Sequence, residues 1–311
     1  MKRFLKTLLA LLLIAAMLPM GGAMAETSDD LWDMAAPEDT ANPDAEIKLL
    51  GGWWHILLLG VDSYTRGNNR QRTDSMIMLS VNLETCEAKL TSFMRDTWVK
   101  VPGTKDTYRK LTELCAVGGP ELTMRCLNEN FSTQLEDYAL VSMESMADII
   151  DILGGIDLDV TEAERKALNK GLFDLSSRSG MEKLEKSGEG VHLNGNQAVA
   201  YARIRKIDSD YVRTERQRTV LVKLAEKILD GASAAELLAI AQTLLEYVET
   251  NLSFADIMSL AYMGMKMDVS KIGQLRIPAD GTFKSGTFDG IWCIKPNFSK
   301  NKQIMKQFVY G

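Results

Sequence analysis

The sequence predicts an α/β domain across residues 53–311, with helices set against a largely antiparallel sheet. Three observations predict it. A continuous apolar run from Trp53 and then runs of period two through TWVKVPG give way to a period near 3.6. Strand-like runs return between the later helical stretches, and neither an internal repeat nor a second linker divides the segment. With 46% apolar and 25% charged residues, the chain has an ordinary globular mix, which excludes wholesale disorder.

Before this domain, residues 1–25 combine Lys2, Arg3 and Lys6 with an apolar run, a break at Pro19, Gly21 and Gly22, and small residues at Ala23 and Ala25. This reads as an export signal cleaved before Glu26. An uncleaved anchor is the rival reading, since the uncharged stretch from Thr7 to Ala25 approaches the roughly 20 residues of a spanning helix. Residues 26–52 are acidic, contain proline and lack an apolar period, as expected of a linker. The chain carries a net charge of −6, and cleavage would remove three cations and no acids. Both the charge and export argue against a nucleic-acid partner.

WWHILLLGVDS, from Trp53, is a continuous apolar run and predicts a strand buried on both faces. A polar loop, YTRGNNRQRT, follows. DSMIMLSVNL, EAKLTSFM and TWVKVPG then alternate apolar and polar residues with short connections, which predicts an antiparallel meander. Residues 108–117 and 120–131 read as helices separated by Gly118-Gly119, with Pro120 suited to a first turn. A strand at 138–143, a helix through Ile152 ended by Gly154-Gly155, and a strand at 156–160 come next. Asn194, with Gln197 three residues on, opens a helix at 193–201 through a capping box. Further helices are expected at 213–229, 234–248 and 254–267, strands at 272–278 and 291–295, and a last helix at the C-terminus.

Chemistry concentrates first in YARIRKIDSDYVRTERQR, where Arg203, Arg205, Lys206, Arg213, Arg216 and Arg218 face only Asp208, Asp210 and Glu215. Guanidinium groups grip phosphate oxygens two at a time, so the segment is a candidate phosphate site, against the plainer reading of a solvated charged face. Arg203 and Arg205 would share a side of an extended chain, and Arg213, Arg216 and Gln217 would occupy neighbouring stripes of the next helix. Asp62 and Asp74 bracket the first strand pair, where two carboxylates beside arginines suit Mg²⁺, against the plainer reading of each alone as a turn former or cap. Arg95-Asp96 follows LTSFM and is either a third functional element or an ion pair at a strand end.

Neither His55 nor His192 has metal-ligand spacing, and His55 reads as a strand or core residue. Nucleophile-elbow and P-loop motifs are absent from the sequence. Cys86, Cys115, Cys126 and Cys293 lack C-x-x-C spacing and read as small core hydrophobes, with a Cys115–Cys126 pair the open alternative.

Taken in order, LLLGVDS, RTDSMIMLSVN, SFMRDTWVKVPG, AVGGPE, LGGIDLDV, LNGNQAVAYARIR and DYVRTERQ resemble the LytR-CpsA-Psr family throughout the domain. The resemblance implies a central mixed sheet among helices, with an apolar tunnel for a lipid and a pyrophosphate at its mouth. It also implies an extracytoplasmic phosphotransferase, either secreted or at the outer face of the membrane. Such an enzyme moves an anionic glycopolymer, such as teichoic acid or capsule, from a polyprenyl pyrophosphate carrier to peptidoglycan. Matched position by position, the magnesium aspartates fall on Asp62 and Asp74, with Mn²⁺ an alternative metal. The pyrophosphate-gripping residues fall on Arg72, Arg95, Arg203, Arg205, Arg213 and Gln217. Lys110 and Asp210 match further polar positions and complete a catalytic set with Arg95, while Arg216 and Arg218 have no match and are expected to be surface charges. Two motifs depart from the family pattern: Lys110-Leu111-Thr112 replaces the usual Lys-Ile-Asn, and Tyr211-Val212 the usual Phe-Gly.

Overall fold

A computed structural model describes residues 52–61, 71–172, 182–205, 207, 210–229, 247–264, 266–288 and 290–311. The leader, most of the linker, Asp62 and most of the expected helix at 234–248 lie outside these residues. Six strands form the central sheet: β1 (Trp53–Val61), β2 (Thr73–Asn82), β3 (Ala88–Phe93), β6 (Asp137–Ser142), β9 (Val248–Thr250) and β10 (Gly273–Ile277), in the order β10-β3-β2-β1-β6-β9. Pairings β1–β2, β2–β3 and β6–β9 are antiparallel, whereas β1–β6 and β3–β10 are parallel. The sheet is therefore mixed, and its central strands are buried on both faces, as their apolar runs require.

Strand alternation sends the two sets of side chains into separate cores. Ile56, Ile77, Leu79, Ala139 and Val141 pack on one face. There they meet α2 (Met143–Ile152), α3 (Glu162–Leu172), α4 (Gly195–Ala202), α5 (Asp210–Leu229) and α6 (Phe254–Gly264). Leu57, Leu59, Met76, Met78 and Leu140 pack on the other, against α1 (Leu111–Phe131) and α7 (Phe298–Tyr310). His55 lies in β1, buried, with Nδ1 2.9 Å from Ser80 Oγ and Nε2 2.9 Å from Tyr310 Oη on α7. All four cysteines are buried and free, and burial pushes the Cys115 and Cys126 thiols up to about 12.

Two expectations fail just after β3. The run TWVKVPG does not extend the meander: β4 (Trp98–Lys100) pairs instead with β5 (Tyr108–Lys110) in a separate hairpin, and the place beside β3 goes to β10. The chain leaves the sheet at Met94, where the Thr97 amide donates to the Met94 carbonyl in a turn. Tyr108 to Lys110 consequently form a strand, and α1 starts at Leu111, three residues later than predicted. Gly118 and Gly119 break α1 as expected, with Gly119 at φ 71°, a left-handed conformation that favours glycine. A hairpin of β7 (Ile156–Val160) and β8 (Gly188–Leu193) leads into α4, whose Asn194/Gln197 capping box forms as predicted. A second hairpin, β11 (Phe283–Phe288) with β12 (Ile291–Pro296), precedes α7. Among the described residues, no helix is long and apolar enough to cross a membrane.

Candidate anion site at the mouth of an apolar pocket

The sheet topology concentrates functional groups at one end. Because β2 runs antiparallel to β1 and β3, its first residues lie beside the last residues of both, which places Asp74 near Arg95 just beyond β3. Parallel β6 ends at this same edge, with Val141 opposite Gly60. The C-terminus of α4 and the first turn of α5 complete the cluster, contributing Arg203 at the α4 C-cap and Arg213 on α5.

Asp74 is the hub. One carboxylate oxygen accepts from Arg95 Nη1 at 2.5 Å and the other from Arg205 Nη2 at 2.6 Å. Burial opposes its ionisation, but Arg205 and Arg95 outweigh that cost, with Arg213 adding to the field, and hold the carboxyl below the usual range. Arg95 Nε also lies 3.4 Å from Asp96, whose other oxygen receives Lys110 Nζ at 2.9 Å. Lys110 thus reaches the arginine cluster through Asp96, whose carboxylate bridges Arg95 and Lys110.

Behind the cluster lies a pocket lined mainly by apolar side chains. Leu58, Ile77, Ala139 and Val141 of the sheet form one wall, and Met146, Val199, Val220 and Leu221 of α2, α4 and α5 form the other. Asp74, Arg203, Arg213 and Gln217 supply its polar end. Gln217 stands four residues after Arg213 and therefore on the same stripe of α5. Arg213 is 1% exposed, a large cation held inside the protein at the end of an apolar space. This apolar lining was not identified residue by residue from the sequence, because its members look like ordinary core positions on their own helices and strands.

The remaining expected site residues separate. Arg72 is exposed ahead of β2, and Asp210 is the first residue of α5. Asp62 lies outside the described residues. Arg216 and Arg218, expected at the surface, are instead 4% and 7% exposed. Arg216 donates to Glu164 at 2.9 Å, and Arg218 to Gln274 at 2.7 Å and Ser92 at 2.8 Å. These two cations tie α5 to α3 and to the sheet, where burial requires a partner for each.

The fit to Mg²⁺ is conditional. Asp74 is an ionised oxygen donor, but both of its oxygens are engaged by guanidinium groups. Among the described residues, no group of three or more His, Cys, Asp or Glu side chains converges on a metal position.

Fold and site together define an α/β protein whose apolar pocket opens on a guanidinium-rich mouth, a shape suited to an amphiphilic anion. The LytR_cpsA_psr family matches residues 25–308, and the chain belongs to that family. It is 29% identical over 229 residues to polyisoprenyl-teichoic acid–peptidoglycan teichoic acid transferase TagV of Bacillus subtilis (strain 168). That match covers 71% of this chain and 56% of TagV, so the chain spans little more than half that relative's length. Identity is 33% over 237 residues to the transferase TagU of Bacillus licheniformis, covering 75% of this chain and 71% of TagU. The crystal structure of B. subtilis TagV shares the fold with a TM-score of 0.66 at 24% identity, over 83% of this chain and 98% of that one. TagT bound to LIIa-WTA shares it with a TM-score of 0.64 at 22% identity, over 83% and 91%.

Proposed function

We propose that the protein is a cell-envelope phosphotransferase that moves an anionic glycopolymer from a polyprenyl pyrophosphate carrier to a peptidoglycan hydroxyl, at the outer face of the membrane or in the cell wall. The observation that carries this reading is the position of the Asp74–Arg95–Arg205 cluster at the mouth of an apolar pocket. The transferase names of relatives such as TagU support it. The pocket takes the polyprenyl chain, and Arg203, Arg205, Arg213, Gln217, Arg95 and Arg72 take the pyrophosphate oxygens. In the reaction the acceptor oxygen bonds to the glycan-linked phosphorus as the bridging P–O bond breaks. Polyprenyl phosphate departs and the hydroxyl proton is released. Phosphoryl transfer of this kind depends on positioning and charge neutralisation more than on a covalent protein intermediate. Arg95, joined to Lys110 through Asp96, forms the catalytic set with Lys110 and, by the family match, Asp210.

Pyrophosphate oxygens would compete with Asp74 for Arg95 and Arg205; Asp74, with Asp62 by the family match, would be the residues to hold a divalent cation. Mg²⁺, or Mn²⁺ in its place, supplies further charge neutralisation at the phosphoryl oxygens when bound. The test incubates the protein with a polyprenyl pyrophosphate-linked glycan and peptidoglycan, with EDTA or with added Mg²⁺ or Mn²⁺. The expected result is a phosphodiester-linked product that EDTA abolishes and either metal restores. Release of the glycan phosphate to water would replace this reading with a pyrophosphatase, and binding without turnover would replace it with a lipid-carrier protein.

A further inference from the structure

Beside the guanidinium cluster, the β4–β5 and β11–β12 hairpins present an aromatic surface that the donor pocket does not use. In β4–β5, Trp98 lies opposite Lys110 and Lys100 opposite Tyr108, so the pleat places all four on one face. Val99, on the other face, is fully buried, whereas Lys100 and Tyr108 are exposed. Tyr108 stacks on Trp98 with ring centroids 6.5 Å apart and planes 10° apart, yet stays 45% exposed. β12 docks beside this hairpin: its Ile294 amide donates to the Asp96 carbonyl at 2.9 Å. That contact brings Trp292, 49% exposed, to within 5.8 Å of Lys110 Nζ, measured from the ring centroid.

We infer that Trp292, Tyr108 and Trp98, with Lys100 and Lys110, form a saccharide-binding platform that seats the glycan strand of the acceptor. Flat aromatic faces carry negative electrostatic potential and meet the C–H faces of pyranose rings. Lys100, exposed on the same face, matches the carboxylates of peptidoglycan. Continuity with the reaction site fixes the platform's role. Lys110 touches the platform through Trp292 and the site through Asp96, which borders Arg95. A sugar seated on Trp292 therefore lies beside the phosphoryl-gripping arginines, as an attacking hydroxyl must.

The inference rests on the transferase reading, and its test measures the platform directly. Binding of muramidase-released peptidoglycan oligosaccharides is titrated by calorimetry with the full chain and with the Trp292→Ala, Tyr108→Ala and Trp292→Phe variants. Inorganic pyrophosphate binding is measured in parallel. Trp292→Ala should weaken oligosaccharide binding about tenfold, the loss typical of an aromatic anchor. Tyr108→Ala should weaken it less, Trp292→Phe should retain most of it, and pyrophosphate binding should be unchanged in all three. Unaltered oligosaccharide binding in both alanine variants would overturn the inference, as would its absence from the unsubstituted protein. Self-association lost in Trp292→Ala would overturn it too, by assigning the face to a second copy of this chain. If oligosaccharide binds through Trp292 but no transfer occurs, the platform stands and the transferase reading falls.

Discussion

Asp74 gathers two arginines onto one buried carboxylate, so its removal should act on function more than on fold. Asp74→Asn should cut transfer by about 100-fold or more, the scale of losing one preorganised electrostatic group. Its stability effect depends on pH. The folded-state value lies below the unfolded one, so the carboxylate's contribution is complete above the ordinary aspartate range and disappears as pH falls through the depressed value. The difference in melting temperature between native protein and Asp74→Asn should therefore shrink on acidification, as calorimetry across pH would show. Arg216 and Glu164 behave differently, because their side chains are only 5% and 13% exposed. Arg216→Ala should cost about 1–3 kcal/mol in urea unfolding, because it removes the charge-assisted bond to Glu164 and empties a buried position. Adding Glu164→Ala should recover part of that loss, so the double variant is less destabilised than the sum of the singles. Sequence alone could not separate these arginines: Arg213, Arg216 and Arg218 fall within six residues of one polar-looking helical stretch. Whether each cation meets a ligand, a carboxylate or an amide depends on α3 and β10, which are distant in the chain.

Most elements were legible where a single period or cap dominates. Strands β1 to β3 announce themselves through apolar runs, α4 through its capping box and the α1 break through Gly118-Gly119. The hairpin β4–β5 was not, because three-residue strands offer too few positions to distinguish strand from helix, and their pairing depends on the turn at Met94. Packing between elements is likewise invisible to local pattern. Gly195 at the start of α4 approaches α2 so closely that a Cβ there would meet the Ala147 carbonyl oxygen and carbon. Gly195→Ala should therefore destabilise the protein by about 3 kcal/mol or more, since backbone cannot yield as a side chain can. Its unfolding midpoint checks this, and transfer should fall as well because α4 carries Arg203. The anchoring of α7 to β1 carries a pH dependence of its own. Burial lowers His55 from 6.5 to about 4, so the neutral ring is favoured in the folded state. The resulting stability is complete above pH 6.5 and is lost as pH falls toward 4, on the order of 3 kcal/mol by linkage. Urea midpoints from pH 7 to pH 4 should fall more steeply for the native protein than for His55→Gln.

Across the whole molecule, the two faces of the sheet divide their tasks. One face, covered by α1 and α7, is a closed core, while the other leaves space between the sheet and α2, α4 and α5, and that space ends at the arginines. The resemblance pointed to the arginines and to a tunnel, but the wall residues emerge only when β1, β2 and β6 are laid beside three helices. The division makes the apolar and anionic halves of the site separable. Met146 lines the pocket from α2, away from the Asp74 ion pairs, so Met146→Trp should fill apolar space without touching the anion contacts. Affinity for a twenty-carbon polyprenyl pyrophosphate should then fall about tenfold or more, while inorganic pyrophosphate binds almost as before. Arg205→Ala should do the reverse in kind, weakening both ligands because both present the same phosphates, by the loss of a charge-assisted contact. Calorimetric titration of each ligand into each variant distinguishes the cases. If Met146→Trp weakened inorganic pyrophosphate as much as the lipid, the pocket and the mouth would not be separate halves of one site.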